Sequence, residues 1–139
     1  MIKELVRDEA LLSTPCAPAT AEDAGTAQDL LDTLASLEDA GCLAANQIGV
    51  TRALFAFEGD DGTPQVMLNP KLVFGLGPGR VQEGCMTRDE VVTVTRHIKI
   101  KVDFDVIEDG TLKHRRGEFA GFTAQMIQHM IDHCKGKLV

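Results

Sequence analysis

Ile98-Lys99-Ile100-Lys101-Val102-Asp103-Phe104-Asp105-Val106 decides how this chain folds. Side chains of an extended segment alternate between two faces, so Ile98, Ile100, Val102, Phe104 and Val106 fall on one side and Lys99, Lys101, Asp103 and Asp105 on the other. One face is therefore buried and the other solvated. Glu108-Asp109-Gly110 supplies a turn, and Thr111 to Phe119 returns as the antiparallel neighbour. From Thr123 the period becomes helical: Ala124, Ile127, Ile131 and Cys134 form one stripe, and Gly136 is placed to end the helix.

Toward the N-terminus, Arg52 to Glu58 alternates Ala53, Phe55 and Phe57 and enters a hairpin at Gly59-Asp60-Asp61-Gly62. Gln65 to Asn69 is its partner, closed by Pro70. A further short strand at 71–74 precedes a loop at Gly75-Leu-Gly-Pro-Gly79. The segment from Gly41 to Gly49 follows no period. Before it, Thr20 and Asp23 resemble a capping box, and Ala27, Leu30, Leu31, Leu34 and Leu37 recur at helical spacing, which predicts an amphipathic helix over 21–39. Strands flanked by an early and a late helix make an α+β fold, with mixed or antiparallel strands packed around the C-terminal helix. At 139 residues, without linker, repeat or low-complexity tract, the chain is expected to be a single domain over 1–139.

Composition narrows the function classes. Apolar residues at 44% and charged residues at 25% are the mix of an ordinary globular protein. A net charge of −7, with no basic cluster beyond His114-Arg115-Arg116, argues against a nucleic-acid surface. The first residues are too charged for a signal peptide and no stretch nears the ~20 apolar residues of a membrane span, so the expectation is a cytoplasmic protein without a membrane partner. Cys16, Cys42, Cys85 and Cys134 are widely spread with no C-x-x-C pair, which suggests neither a disulfide framework nor a structural zinc knuckle.

His129 and His133 lie four apart on the late helix and project to the same side, the spacing with which a helix offers two nitrogens to one metal. Such pairs also arise on solvated faces. Cys85, placed after Gly84, is the candidate third ligand, since a thiolate with two imidazoles leaves an open position for water. Taken in isolation, a cysteine is more often a small buried hydrophobe.

Three segments resemble the signature motifs of the peptide deformylase family: Gly41-Cys-Leu-Ala-Ala-Asn-Gln47 is similar to G-x-G-L-A-A-x-Q, Glu83-Gly-Cys-Met-Thr87 to E-G-C-L-S, and Gln128-His-Met-Ile-Asp-His133 to Q-H-E-x-D-H. Their order and separations fit as well. The resemblance implies that Cys85, His129 and His133 hold one divalent metal, Fe(II) by expectation with Zn or Ni as substitutes. It implies removal of the formyl group from N-formyl-Met peptides or nascent chains, with a metal-activated water as nucleophile. The Gln47 amide and the backbone N–H of Met86 would hold the oxyanion. Gly41, Cys42, Leu43, Glu83 and Gly84 are the implied substrate contacts. Arg96 and Glu83 are placed to pair with each other or with Asp132, or to stay solvated.

Met130 departs from the motif, because it stands where the family's glutamate takes the proton from water. A thioether cannot accept it, and losing a positioned base costs about 10²–10⁴ in rate. Asp132 flanks the metal-facing edge opposite Met130, where support of a ligand histidine is its expected role and service as a replacement base the alternative. Cys42 replaces the glycine before Leu-Ala-Ala. The chain stops at Val139 without the C-terminal extension by which some relatives dock on the ribosome, so ribosome docking is not expected, and a monomer is. Two readings follow: a metal-dependent hydrolase weakened by Met130, and a catalytically inactive metal-containing protein that binds formyl peptides.

Overall fold

The computed structural model describes residues 1–139. Five strands form one antiparallel sheet in the order β1 (Cys42–Ala44), β2 (Leu54–Glu58), β3 (Pro64–Cys85), β4 (Arg88–Glu108) and β5 (Thr111–Ala120). Three helices accompany it: a single turn α1 (Glu9–Leu12), α2 (Ala24–Ser36) and α3 (Gly121–Cys134). The architecture is the α+β arrangement the sequence predicts. No helix is long and apolar enough to cross a membrane.

Alternation along the strands places α2 and α3 on opposite faces of the sheet. Phe55, Phe57 and Met67 join Ile100 and Val102 beneath Ala124, Ile127, Met130 and Ile131 of α3. Their neighbours Leu54, Ala56 and Leu68 turn the other way, to Leu30 and Leu34 of α2. A strand such as β2 therefore buries both faces, where a one-sided sheet would bury only one.

The Thr20 and Asp23 side chains make a reciprocal capping box, but they cap a 3₁₀ turn at Ala21–Asp23 before α2 begins at Ala24. At the other end of the chain α3 stops as expected at Gly136, which has φ +76°. A Cβ there would lie 2.6 Å from the Ser13 carbonyl oxygen, so only glycine fits.

Two expectations need correction. Residues 71–74 and the predicted loop at 75–79 are continuous strand: Gly75 pairs with Ile100, Pro78 with His97 and Gly79 with Arg96. Gly75 serves the neighbouring strand, since a Cβ there would meet the His97 ring at 2.5 Å. A register shift between Leu68 and Lys71 absorbs Pro70, and a second follows at Val73. The second correction concerns Ile98, which is 68% exposed although Ile100 and Val102 on the same face are buried. Its side chain lies against Gly77 of β3 instead.

Candidate metal centre

The late helix carries His129 and His133 across the sheet face to the tip of the β3–β4 hairpin, where Cys85 pairs with Arg88 around Met86 and Thr87. The His133 Nε2 lies 3.2 Å from the His129 Nε2 and 3.4 Å from the Cys85 Sγ. All three donor atoms fall within 4.8 Å of one another. Ligand bonds of about 2.0–2.3 Å set donors of one tetrahedral centre about 3.3–3.6 Å apart, so the spacing suits a common cation. The chemistry of the set agrees: a sulfur and two imidazole nitrogens face one another, and both histidines are buried. These residues fit a transition metal.

Glu83 fixes the His129 ring. The His129 Nδ1–H donates to the Glu83 Oε1 at 2.8 Å, which turns the Nε2 toward Cys85 and His133. Arg96 donates from Nε and Nη2 to the same carboxylate at 3.0 and 2.8 Å, and from Nη1 to the Asp132 Oδ2 at 2.7 Å. The Gln125 Nε2 adds a donor at 3.0 Å. Burial works to raise the Glu83 pKa, but the bonds from His129 and Arg96 outweigh it and hold the carboxyl at about 2. Burial likewise opposes charge on His129, and its contacts with Cys85 and Glu83 raise it to about 9. Glu83 is thus occupied by protein donors, though its side chain still forms part of the pocket wall.

A pocket of about 310 Å³ opens beside the centre, and Cys42, Gln47, Glu83, Gly84, Cys85, Met86, His129 and Met130 all line it. Gln47 is held in place because its Oε1 accepts the Ala44 N–H at 2.9 Å. That leaves its Nε2 to donate to the Cys85 Sγ and the Thr87 Oγ1, both at 3.2 Å. Gly41 also lines the pocket, with Met126 packed so closely that a Cβ would approach its sulfur to 2.7 Å.

Leu43 does not join them. Along β1 the side chains alternate, so Cys42 faces the pocket while Leu43 is fully buried on the α2 side. Of the implied substrate contacts, Leu43 is the one whose side chain does not line the pocket. Asp132 is also placed differently. It binds Arg96 and lies 3.7 Å from the Lys137 Nζ, outside the pocket, so it reaches His129 only through Arg96 and Glu83. It is neither a direct support of a ligand histidine nor a base within reach. Thr87, whose hydroxyl lies 3.3 Å from the Cys85 Sγ, escaped the sequence reading along with Gln125, Met126 and Phe122 of the pocket wall. Helical spacing from His129 could have flagged Gln125, Met126 and Phe122. Thr87 closes the Glu83-Gly-Cys-Met-Thr87 segment, the one local signal that could have given it a role.

The thiols differ sharply. Burial pushes Cys85 up, yet hydrogen bonds from His129, His133 and Thr87 bring it down to about 5. Burial above all drives Cys42 and Cys134 to about 12. In metal-free protein, iodoacetamide labelling followed by peptide mass spectrometry is expected to modify Cys85 at a rate already level at neutral pH, because its thiolate persists above about 5. A rate that keeps climbing toward the ordinary thiol value of ~8.5 would contradict this. Added metal should protect Cys85.

The description "Polypeptide deformylase" belongs to the family whose profile matches residues 2–139. A peptide deformylase of Clostridium beijerinckii is 35% identical over 141 residues, covering 100% of each chain. The crystal structure of a peptide deformylase from Legionella pneumophila superposes with a TM-score of 0.84 at 29% identity, covering 99% of this chain and 83% of that one. The peptide deformylase structure from Thermus thermophilus gives 0.83 at 26% identity, covering 99% and 83%.

Proposed function

The chain belongs to the polypeptide deformylase family, and from that premise we propose that residues 1–139 form one metal-dependent hydrolase domain that removes the formyl group from N-formyl-methionyl peptides, at a rate lowered by Met130. The observation that carries this reading is the convergence of the Cys85 Sγ and the two histidine Nε2 atoms at one end of a pocket that Gln47 also lines.

Cys85, His129 and His133 would hold the ion, with Fe(II) the expectation and Zn or Ni as substitutes. When bound, such an ion polarises a carbonyl and makes water a usable nucleophile at neutral pH. Glu83 keeps the His129 Nδ1 protonated and its Nε2 free to ligate. Gln47, locked by its bond to the Ala44 N–H, presents its amide donor beside Cys85, where an oxyanion would develop. The backbone N–H of Met86, in the turn after Cys85, is the second donor proposed for that oxyanion. Donors fixed in advance stabilise charge without reorganising. The formyl-methionyl side would lie along Gly41, Cys42 and Gly84, and the protein would act as a monomer on nascent or released peptides.

The proton is the weak point. Met130 lines the pocket but offers no base, Glu83 is saturated by donors, and Asp39 sits exposed at the rim. That arrangement favours a second reading, a silent protein that retains formyl peptides at its metal centre. Turnover separates the two: after anaerobic reconstitution with iron or nickel, slow but metal-dependent formate release from formyl-Met peptides supports the hydrolase, and stoichiometric peptide binding with no formate supports the silent form.

A further inference from the structure

Two residues near the N-terminus reach the site without lining its pocket. Leu5 packs against the α2 side of the core, Leu12 is fully buried, and the Asp8 carboxylate caps α1 through the Ala10 N–H, so the stretch between them is anchored at both ends. Val6 and Arg7 lie on that stretch. The Val6 N–H donates to the Gln47 backbone carbonyl at 2.8 Å. Arg7 donates from Nη1 to the Met86 carbonyl at 3.2 Å and from Nη2 to the Asp89 Oδ1 at 2.6 Å. Adjacent residues thus hold the backbones of Gln47 and Met86, the two residues proposed to donate to the oxyanion.

The hairpin tip needs such a hold. Cys85 pairs with Arg88, which leaves Met86 and Thr87 as a two-residue turn. Such turns match the twist of their strands when one or both central residues take a positive φ, and neither Met86 nor Thr87 does. We propose that Arg7 is a positioning residue for the reaction: together with the Val6 N–H it fixes the Met86 turn relative to Gln47, so that both oxyanion donors are aimed before charge develops. The inference rests on the reading that these two groups hold the oxyanion. The bond to Met86 carries the effect, because the Asp89 side chain is 93% exposed and an exposed ion pair contributes little.

The full-length protein is compared as wild type, Arg7→Ala, Arg7→Lys and Asp89→Ala. Amide relaxation of Met86 and Thr87 by NMR, on the Zn(II) form, reads the hold on the turn. Formate release per bound iron or nickel ion, in the wild-type and the Met130→Glu background, reads its consequence. Arg7→Ala is expected to lower the Met86 order parameter from the ~0.85 of rigid backbone toward the ~0.6 below which backbone is flexible. It should also lower kcat about tenfold with KM little changed, since the donors act on charge present only in the transition state, and this is short of the ~10²–10³ lost when such a donor is removed outright. Arg7→Lys should recover part of both, because an ammonium can still donate to the Met86 carbonyl, and Asp89→Ala should change neither. Arg7→Ala with order and kcat unchanged would overturn the proposal, and so would lost order with kcat unchanged, which makes the contact merely structural. No formate from any loaded form would instead refute the hydrolase reading, and the positioning role with it.

Discussion

Met130→Glu is expected to raise formate release per bound iron or nickel ion by about 10²–10⁴, the contribution of a positioned general base. Every other component of the proposed reaction is independent of that side chain. Gln47 is fixed by Ala44, His129 by Glu83, and the pocket is walled by residues that the substitution does not touch. The new carboxyl would enter a site that is almost wholly enclosed, since Met130 is 1% exposed. Enclosure raises a carboxyl pKa toward neutrality and so toward the range in which a base works best. The variant should fold less stably, because Met130 packs among Phe55, Phe57 and Ile127. Steady-state formate release, normalised to metal content, checks the prediction. A metal-replete variant no faster than the wild type would move the defect to Cys42 or to the hairpin tip.

Arg96→Ala should destabilise the protein by about 3–5 kcal/mol, the cost of leaving a buried charge without its partner. Arg96 is 8% exposed and Glu83 7%, and the guanidinium spans Glu83 and Asp132 at once. Removing it strands two carboxylates. Only His129 and Gln125 would remain to compensate Glu83, and Lys137 at 3.7 Å would remain for Asp132. Urea denaturation of the metal-free protein measures the effect. Arg96→Lys should restore only part of the loss, because one ammonium cannot form the paired bonds that the guanidinium makes. A loss below about 1 kcal/mol, as for an exposed ion pair, would show that the network contributes little.

Much of this arrangement was legible in the sequence because its signals are local and periodic. The alternation from Ile98 to Val106 and the stripe from Ala124 to Cys134 predict β4 and α3, and the i, i+4 spacing of His129 and His133 needs no tertiary information. The glycines at 75–79 misled for a physical reason. A glycine marks either a turn or the crossing of a neighbour's side chain, and only the pairing with β4 shows His97 seated on Gly75. Ile98 satisfies the alternation, yet its side chain lies against Gly77 of β3 and stays exposed, a contact that the alternation alone does not reveal. Around the centre, composition could not order the charges. Glu83 and His129 are distant in sequence, and the approach of their side chains depends on β3 passing beneath α3. Thr87 enters only because the hairpin turns tightly after Cys85.

Extended X-ray absorption at the metal edge, on protein reconstituted and freed of excess ion, addresses the coordination directly. One ion per chain, with Cys85 sulfur and two imidazole nitrogens in its shell, and loss of the sulfur contribution or of the ion itself in Cys85→Ala, is the predicted result. A chain that retains no ion, or one whose shell is the same with and without the Cys85 thiol, would contradict it.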